Sequence, residues 1–201
     1  MSIVKLNNRA VKDATAVGSI TGLGDLVFIS RSTASSSASL SITSGINSTY
    51  KEYIFYFNNI HPASDGVNFS FQASTNGGSS YGVTATTSVF VANHAEAGND
   101  TNFYYTTGND LAQSTNYAII NDYYVNDNDA SGSGMLHIFE PSSTTFVKHF
   151  IADFNNMYKP TYSNRTFAAG YFNTTSALNA FDFKFSSGNI DSGTIDMYGV
   201  K

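Results

Sequence analysis

The sequence predicts an all-β fold: an antiparallel β-sandwich, jelly-roll-like in connectivity, with an extended N-terminal arm. Three observations carry that expectation. Aromatics are abundant, with 16 Phe and 13 Tyr in 201 residues, while charged residues make up only 12%. Strands favour aromatic and β-branched side chains, whereas helices would want Glu, Lys, Ala and Leu. Apolar residues alternate with polar ones over short runs, the period-two pattern of half-buried strands. Between those runs lie Ser, Asn and Gly clusters suited to turns, and no repeat period supports a propeller or solenoid. The length suits one domain with a real core.

Taken in order, residues 1–24 form the arm, weakly patterned, with one short strand at Ile3–Leu6. Its candidate assembly contacts are Lys5, Leu6, Arg9 and Val11, apolar and basic groups suited to clamping a neighbouring subunit. Residues 25–201 form the sandwich domain. Leu26–Ser30 is a short apolar run, and the serine-rich Ser35–Ser44 still alternates through Leu40 and Ile42. Tyr50–Ile60 is the strongest strand, with Tyr53, Phe55 and Phe57 on one face and Pro62 ending it. Asn68–Ala73 and Tyr81–Val91 flank Ser74–Ser80, a turn rich in residues that tolerate positive φ, so a tight hairpin is expected there. Phe103–Thr106, Tyr117–Asn121 and Tyr123–Val125 follow, and Asp110–Ser114 reads as a single helical turn. Asn126–Gly134 reads as a loop, with strands after it at Met135–Phe139, Thr145–Phe154 and Arg165–Phe172. Leu178–Phe185 and Thr194–Tyr198 close the chain as an expected β-hairpin, with Phe181, Phe183 and Phe185 on one greasy face.

Composition removes several function classes. Net charge is −5, and the seven Lys and three Arg are scattered singly, so no basic stripe exists to neutralise phosphates and nucleic acid is excluded as a partner. No apolar run approaches the ~20 residues of a spanning helix, so membrane insertion is not expected. The first residues lack the apolar core of a signal peptide, and cysteine is absent, which together fit synthesis in a reducing cytosol.

No motif argues catalysis. A glycosidase needs two facing carboxylates, and nothing in the spacing of Glu52, Glu96, Glu140 and the aspartates selects a pair. There is no G-x-S-x-G and no histidine placed to make a triad. His94 and Glu96 lack a second histidine at metal spacing, while His137 and His149 fall in strands as partly buried or interface side chains. Asp127, Asp129 and Ser131 mimic the first half of a calcium loop, but Ile138 stands where the bidentate Glu would be. They are a weak calcium candidate, with a solvated acidic loop as the plainer alternative. No cofactor is called for. Tyr104, Tyr105, Tyr123 and Tyr124, with Tyr158 and Tyr162, lie near polar loops and are candidate glycan contacts, since phenol rings stack on sugars; tyrosine is equally enriched in subunit contacts.

Ser74–Tyr81 (STNGGSSY) resembles the Asp-box of sialidase-like propellers, with Asn76 and Tyr81 replacing its Asp and Trp. It occurs once and marks a turn, without catalytic implication. Together with Lys5–Asp13 (KLNNRAVKD), Pro141–Phe150 (PSSTTFVKHF) and Ser187–Lys201 (SGNIDSGTIDMYGVK), it resembles small virion structural proteins of tailed phages, of the tail-fibre-like and capsid-decoration types of marine, cyanophage-like viruses. The resemblance implies a non-enzymatic subunit on the particle surface and partners among capsid or tail proteins. It also implies a homo-oligomer, a virion location, and, for a fibre role, a host surface glycan as ligand.

Overall fold

The computed structural model describes residues 26–159 and 161–201; the arm and its four candidate contacts lie outside the described residues. Twelve strands run through them: β1 (Leu26–Thr33), β2 (Leu40–Ile42), β3 (Glu52–Pro62), β4 (Val67–Ser74), β5 (Ala85–Ala95), β6 (Thr101–Tyr105), β7 (Ala118–Tyr124), β8 (Gly132–Phe139), β9 (Lys148–Tyr158), β10 (Tyr162–Phe172), β11 (Ala180–Phe185) and β12 (Ile190–Val200). They form two antiparallel sheets, ordered β1-β12-β3-β8-β9-β10-β5-β6 and β2-β11-β4-β7. The all-β sandwich is the predicted fold class; the strand orders do not establish jelly-roll connectivity.

The core is a phenylalanine stack between the sheets. Phe181, Phe183 and Phe185 of β11 all turn inward, as do Tyr53, Phe55 and Phe57 of β3, and every one is buried. Phe183 lies 5.5 Å from Phe55 and 5.3 Å from Phe57 of the large sheet, and 6.0 Å from Phe71 of its own sheet. Offset and edge-to-face rings at such spacing add to the area they bury.

Both expected hairpins are corrected. β11 pairs with β2 and β4, whereas β12 pairs with β1 and β3 in the other sheet. The connection from Ser186 to Asn189 therefore crosses the sandwich. The physical reason is the pattern itself: Phe181 and Phe183 want a greasy partner layer, and Phe55 and Phe57 of the large sheet, which β12 joins, supply it from opposite, not alongside. β4 and β5 likewise fall in different sheets. The Ser74–Ser80 turn is held by its own side chains: the backbone NH groups of Asn76 and Gly78 donate to Ser74 Oγ, and that of Ser80 donates to Asn76 Oδ1.

Smaller corrections follow from packing. Of Ser35–Ser44 only Leu40–Ile42 is strand. Tyr117–Asn121 and Tyr123–Val125 merge into β7, and Asp110–Ser114 is irregular, Leu111 NH donating to Thr87 Oγ1. Gly132 and Gly134 belong to β8, not to a loop: a Cβ at Gly132 would fall on the Tyr124 ring, and one at Gly134 on the Phe154 ring and the Asp153 carbonyl. Those glycines are cut-outs for aromatic rings.

Lys148 is a buried cation at the sandwich end. It turns inward from β9, fully buried, and its Nζ donates to the Thr174 carbonyl at 3.0 Å. Burial pushes its pKa below the ordinary lysine value of 10.5. Lys148→Met is therefore expected to stabilise the fold by roughly 1 kcal/mol at pH 7. The sign is fixed by linkage. Below the folded pKa both states carry the proton and the burial penalty is complete. Between the folded value and 10.5 the unfolded chain holds the proton more tightly, so wild-type stability rises with pH. Urea midpoints of the two proteins should converge as pH approaches 10.5; a gap constant from pH 7 to 10.5 would refute the buried-charge account.

Candidate functional site

The two outer faces of the sandwich differ in chemistry. On the small sheet the outward side chains are polar and mutually satisfied. Asp182 accepts from Ser41 Oγ at 2.5 Å and from Tyr117 OH at 2.9 Å, and Lys184 Nζ sits 3.9 Å from the Tyr117 ring centroid. Burial, and then the Asp182 carboxylate, push the Tyr117 phenol well above its ordinary range.

The outer face of the large sheet instead carries a band of aromatic and aliphatic side chains set among polar and paired charged ones. Strand registers place Phe28 opposite Tyr198, Tyr56 opposite Met135, His137 opposite Ile151, and Phe90 between Phe167 and Tyr105. The result is an aromatic and aliphatic belt crossing all eight strands. Phe28 and Ile151 are 54% and 53% exposed, and Phe103 is 72% exposed. The rings of Phe90 and Phe167 stack at 5.1 Å. The arginines on this face are paired within it: Arg31 forks onto Asp196 with both contacts at 2.6 Å and Arg165 onto Asp153 at 2.9 and 2.6 Å, while Glu52 contacts the His137 ring. Arg31 holds the Asp196 carboxyl below its ordinary value. At one end, Phe139, His149, Ile151 and Tyr171 line an open groove of about 570 Å³. Beside it the β8–β9 connection raises Phe146, 72% exposed.

A second cluster lies where β7 crosses the end of the large sheet. The rings of Tyr123, Tyr158 and Tyr162 meet edge-to-face at 4.8 and 5.8 Å, and Lys159 Nζ lies 5.0 Å from the Tyr158 centroid. Tyr162 OH donates to Asp100 Oδ2 at 3.0 Å. Tyr123 sits at φ 50°, left-handed backbone that costs a non-glycine residue about 1 kcal/mol or more. Side-chain amides, two of them buried, hold it there. Asn156 Nδ2 donates to the carbonyls of Asp122, Tyr123 and Met157, Asn164 Nδ2 donates to Asn156 Oδ1, and Tyr123 NH donates to Asn68 Oδ1. Burial raises the pKa of Asp122 beside them, while Asn109 Nδ2, donating to its Oδ1, works against that rise.

The sequence-derived candidates divide accordingly. Tyr123 is 40% exposed in the cluster. Tyr104 borders it, its phenol pKa raised by burial and then by Asp122 and Tyr158. Tyr105 points to the other side of β6, into the aromatic belt, donating to Asp110 Oδ2 at 2.7 Å. Tyr124 is a correction: it is fully buried against Phe69 and Phe185, its OH accepting from Asn121, so it is closed to any ligand. Asp127 and Asp129 are exposed on a turn closed by Ala130 NH donating to Asp127 O. Among the described residues no three His, Asp or Glu gather as a metal-holding group. His137 and His149 both lie on the outer face of the large sheet.

The belt itself escaped the sequence reading. Its signal was present as apolar residues on both parities of one strand, Phe28 beside Val27 and Ile29, and Tyr56 beside Phe55 and Phe57. Compared with known proteins, the chain matches no family model, no curated protein and no solved structure.

Proposed function

We propose that this chain is a non-enzymatic structural subunit of a tailed-phage particle, a surface β-sandwich that works by assembling with other proteins and is anchored by residues 1–24. The observation that carries the reading is the exposed aromatic belt across the outer face of the eight-stranded sheet. Monomeric proteins rarely leave so extended an aromatic surface in water, and such surfaces mark protein contacts. The particle setting comes from the sequence resemblance, and the absent cysteines suit assembly in a reducing cytosol.

A second reading, a lectin-like module for a host surface glycan, is favoured by one specific feature: the Tyr123 cluster, where buried amides hold an exposed phenol in a strained conformation. Quantitative mass spectrometry of purified particles, referenced to the major capsid protein, tests the first reading. Hundreds of copies are expected for a decoration protein and a few to a few dozen for a tail component. Absence from particles would overturn the structural role and leave the glycan module.

A further inference from the structure

The outer face of the large sheet has a chemistry that selects its partner. Its arginines and aspartates cancel pairwise, Arg31 with Asp196 and Arg165 with Asp153. A strongly basic or acidic partner would therefore find no counter-charge there. A second copy of a chain carrying net charge −5 would meet little like-charge repulsion on this face, where Glu52 beside His137 is the carboxylate left without an arginine, although it would meet more elsewhere. The area is also sufficient. Eight strands spaced at about 4.8 Å span roughly 34 Å, and strands of five to eleven residues, seven of them eight or longer, run roughly 30 Å on average, giving a face near 1,000 Å². A stable interface needs about 800 Å² from each partner.

The face also carries a projection and a recess of matching chemistry. Phe146 stands out from the β8–β9 connection, and the neighbouring groove is lined by Phe139, His149, Ile151 and Tyr171. In a two-fold arrangement each copy presents the same patch, so one projection and one recess per chain satisfy both. We propose that two copies of this chain pack face to face across the eight-stranded sheets, Phe146 of each seated in the groove of the other. The tyrosine cluster at β7 and the polar outer face of the small sheet stay outside this contact.

Sedimentation velocity of the full chain from about 1 to 100 µM tests the packing. Wild type is expected to sediment at twice the 21.6 kDa chain mass. Ile151→Lys places an unpaired charge in the groove that receives Phe146 and is expected to weaken association by about 100-fold or more. Phe146→Ser, on a loop, is expected to weaken it by about 10-fold or more. Both side chains are exposed, so circular dichroism and melting temperature of the dissociated variants should show a folded sandwich. A wild-type monomer throughout that range, a stoichiometry other than two, or a dimer indifferent to Ile151→Lys would overturn the proposal. A monomer whose melting temperature falls in Ile151→Lys would also overturn it, and would assign the face to a segment of the same chain. Particle copy number does not enter this experiment, so the dimer and the virion role stand or fall separately.

Discussion

Truncation of Phe183 to alanine is expected to lower the unfolding free energy by about 3–5 kcal/mol, the range for removing a buried phenylalanine ring. Phe183 is fully buried and touches rings from both layers, Phe55 and Phe57 on one side, Phe69 and Phe71 on the other. The neighbours cannot close the gap, because each is already locked against further rings; Phe57 also meets Phe69 and Phe154, and Phe71 also meets Phe150 and Phe172. A cavity therefore persists, and its lining loses contacts outright. Guanidinium denaturation monitored by circular dichroism measures the effect. A loss below about 1 kcal/mol would mean that this ring does not join the two sheets.

Asn156→Ala is expected to cost about 2–3 kcal/mol and to change the tyrosine cluster at the same time. One amide group, 2% exposed, holds three carbonyls along β7 and β9 and accepts from Asn164. Removing it leaves several buried polar groups without partners, which is costlier than never having placed them there. It also frees Tyr123 to leave its left-handed conformation. The expected signature is faster amide exchange at Asp122–Val125 than elsewhere in β7, together with a lower denaturation midpoint. Unchanged exchange at Tyr123 would show that the backbone holds itself there without the amide.

The inward half of the fold was legible in the sequence because one greasy layer repeats at period two. Tyr53, Phe55, Phe57, Phe181, Phe183 and Phe185 all occupy the buried positions that alternation assigns them. Gly132 and Gly134 were not legible as strand, since nothing local tells a glycine that makes a turn from one that makes room for Tyr124 or Phe154. Tyr124 misled for a related reason. A tyrosine two residues from the acidic Asn126–Gly134 stretch reads as a loop ring, yet the left-handed turn at Tyr123 rotates its neighbour into the core. Of the candidate glycan contacts, Tyr123 packs with Tyr158 and Tyr162 and Tyr104 borders that cluster, while Tyr105 joins the belt and Tyr124 the interior.

The sequence by itself determined that this protein is built from strands, which residues face its core, and that it carries no basic stripe for nucleic acid. Those properties follow from composition and local periodicity, which each segment carries on its own. Tertiary structure alone decided strand partnership, and with it the nature of the surface. Alternation says which side of a strand is greasy but not which strand lies beside it. Thus the last two strands, adjacent in sequence, lie in opposite sheets, and the belt from Phe28 to Phe103 exists only because eight distant segments lie in one register.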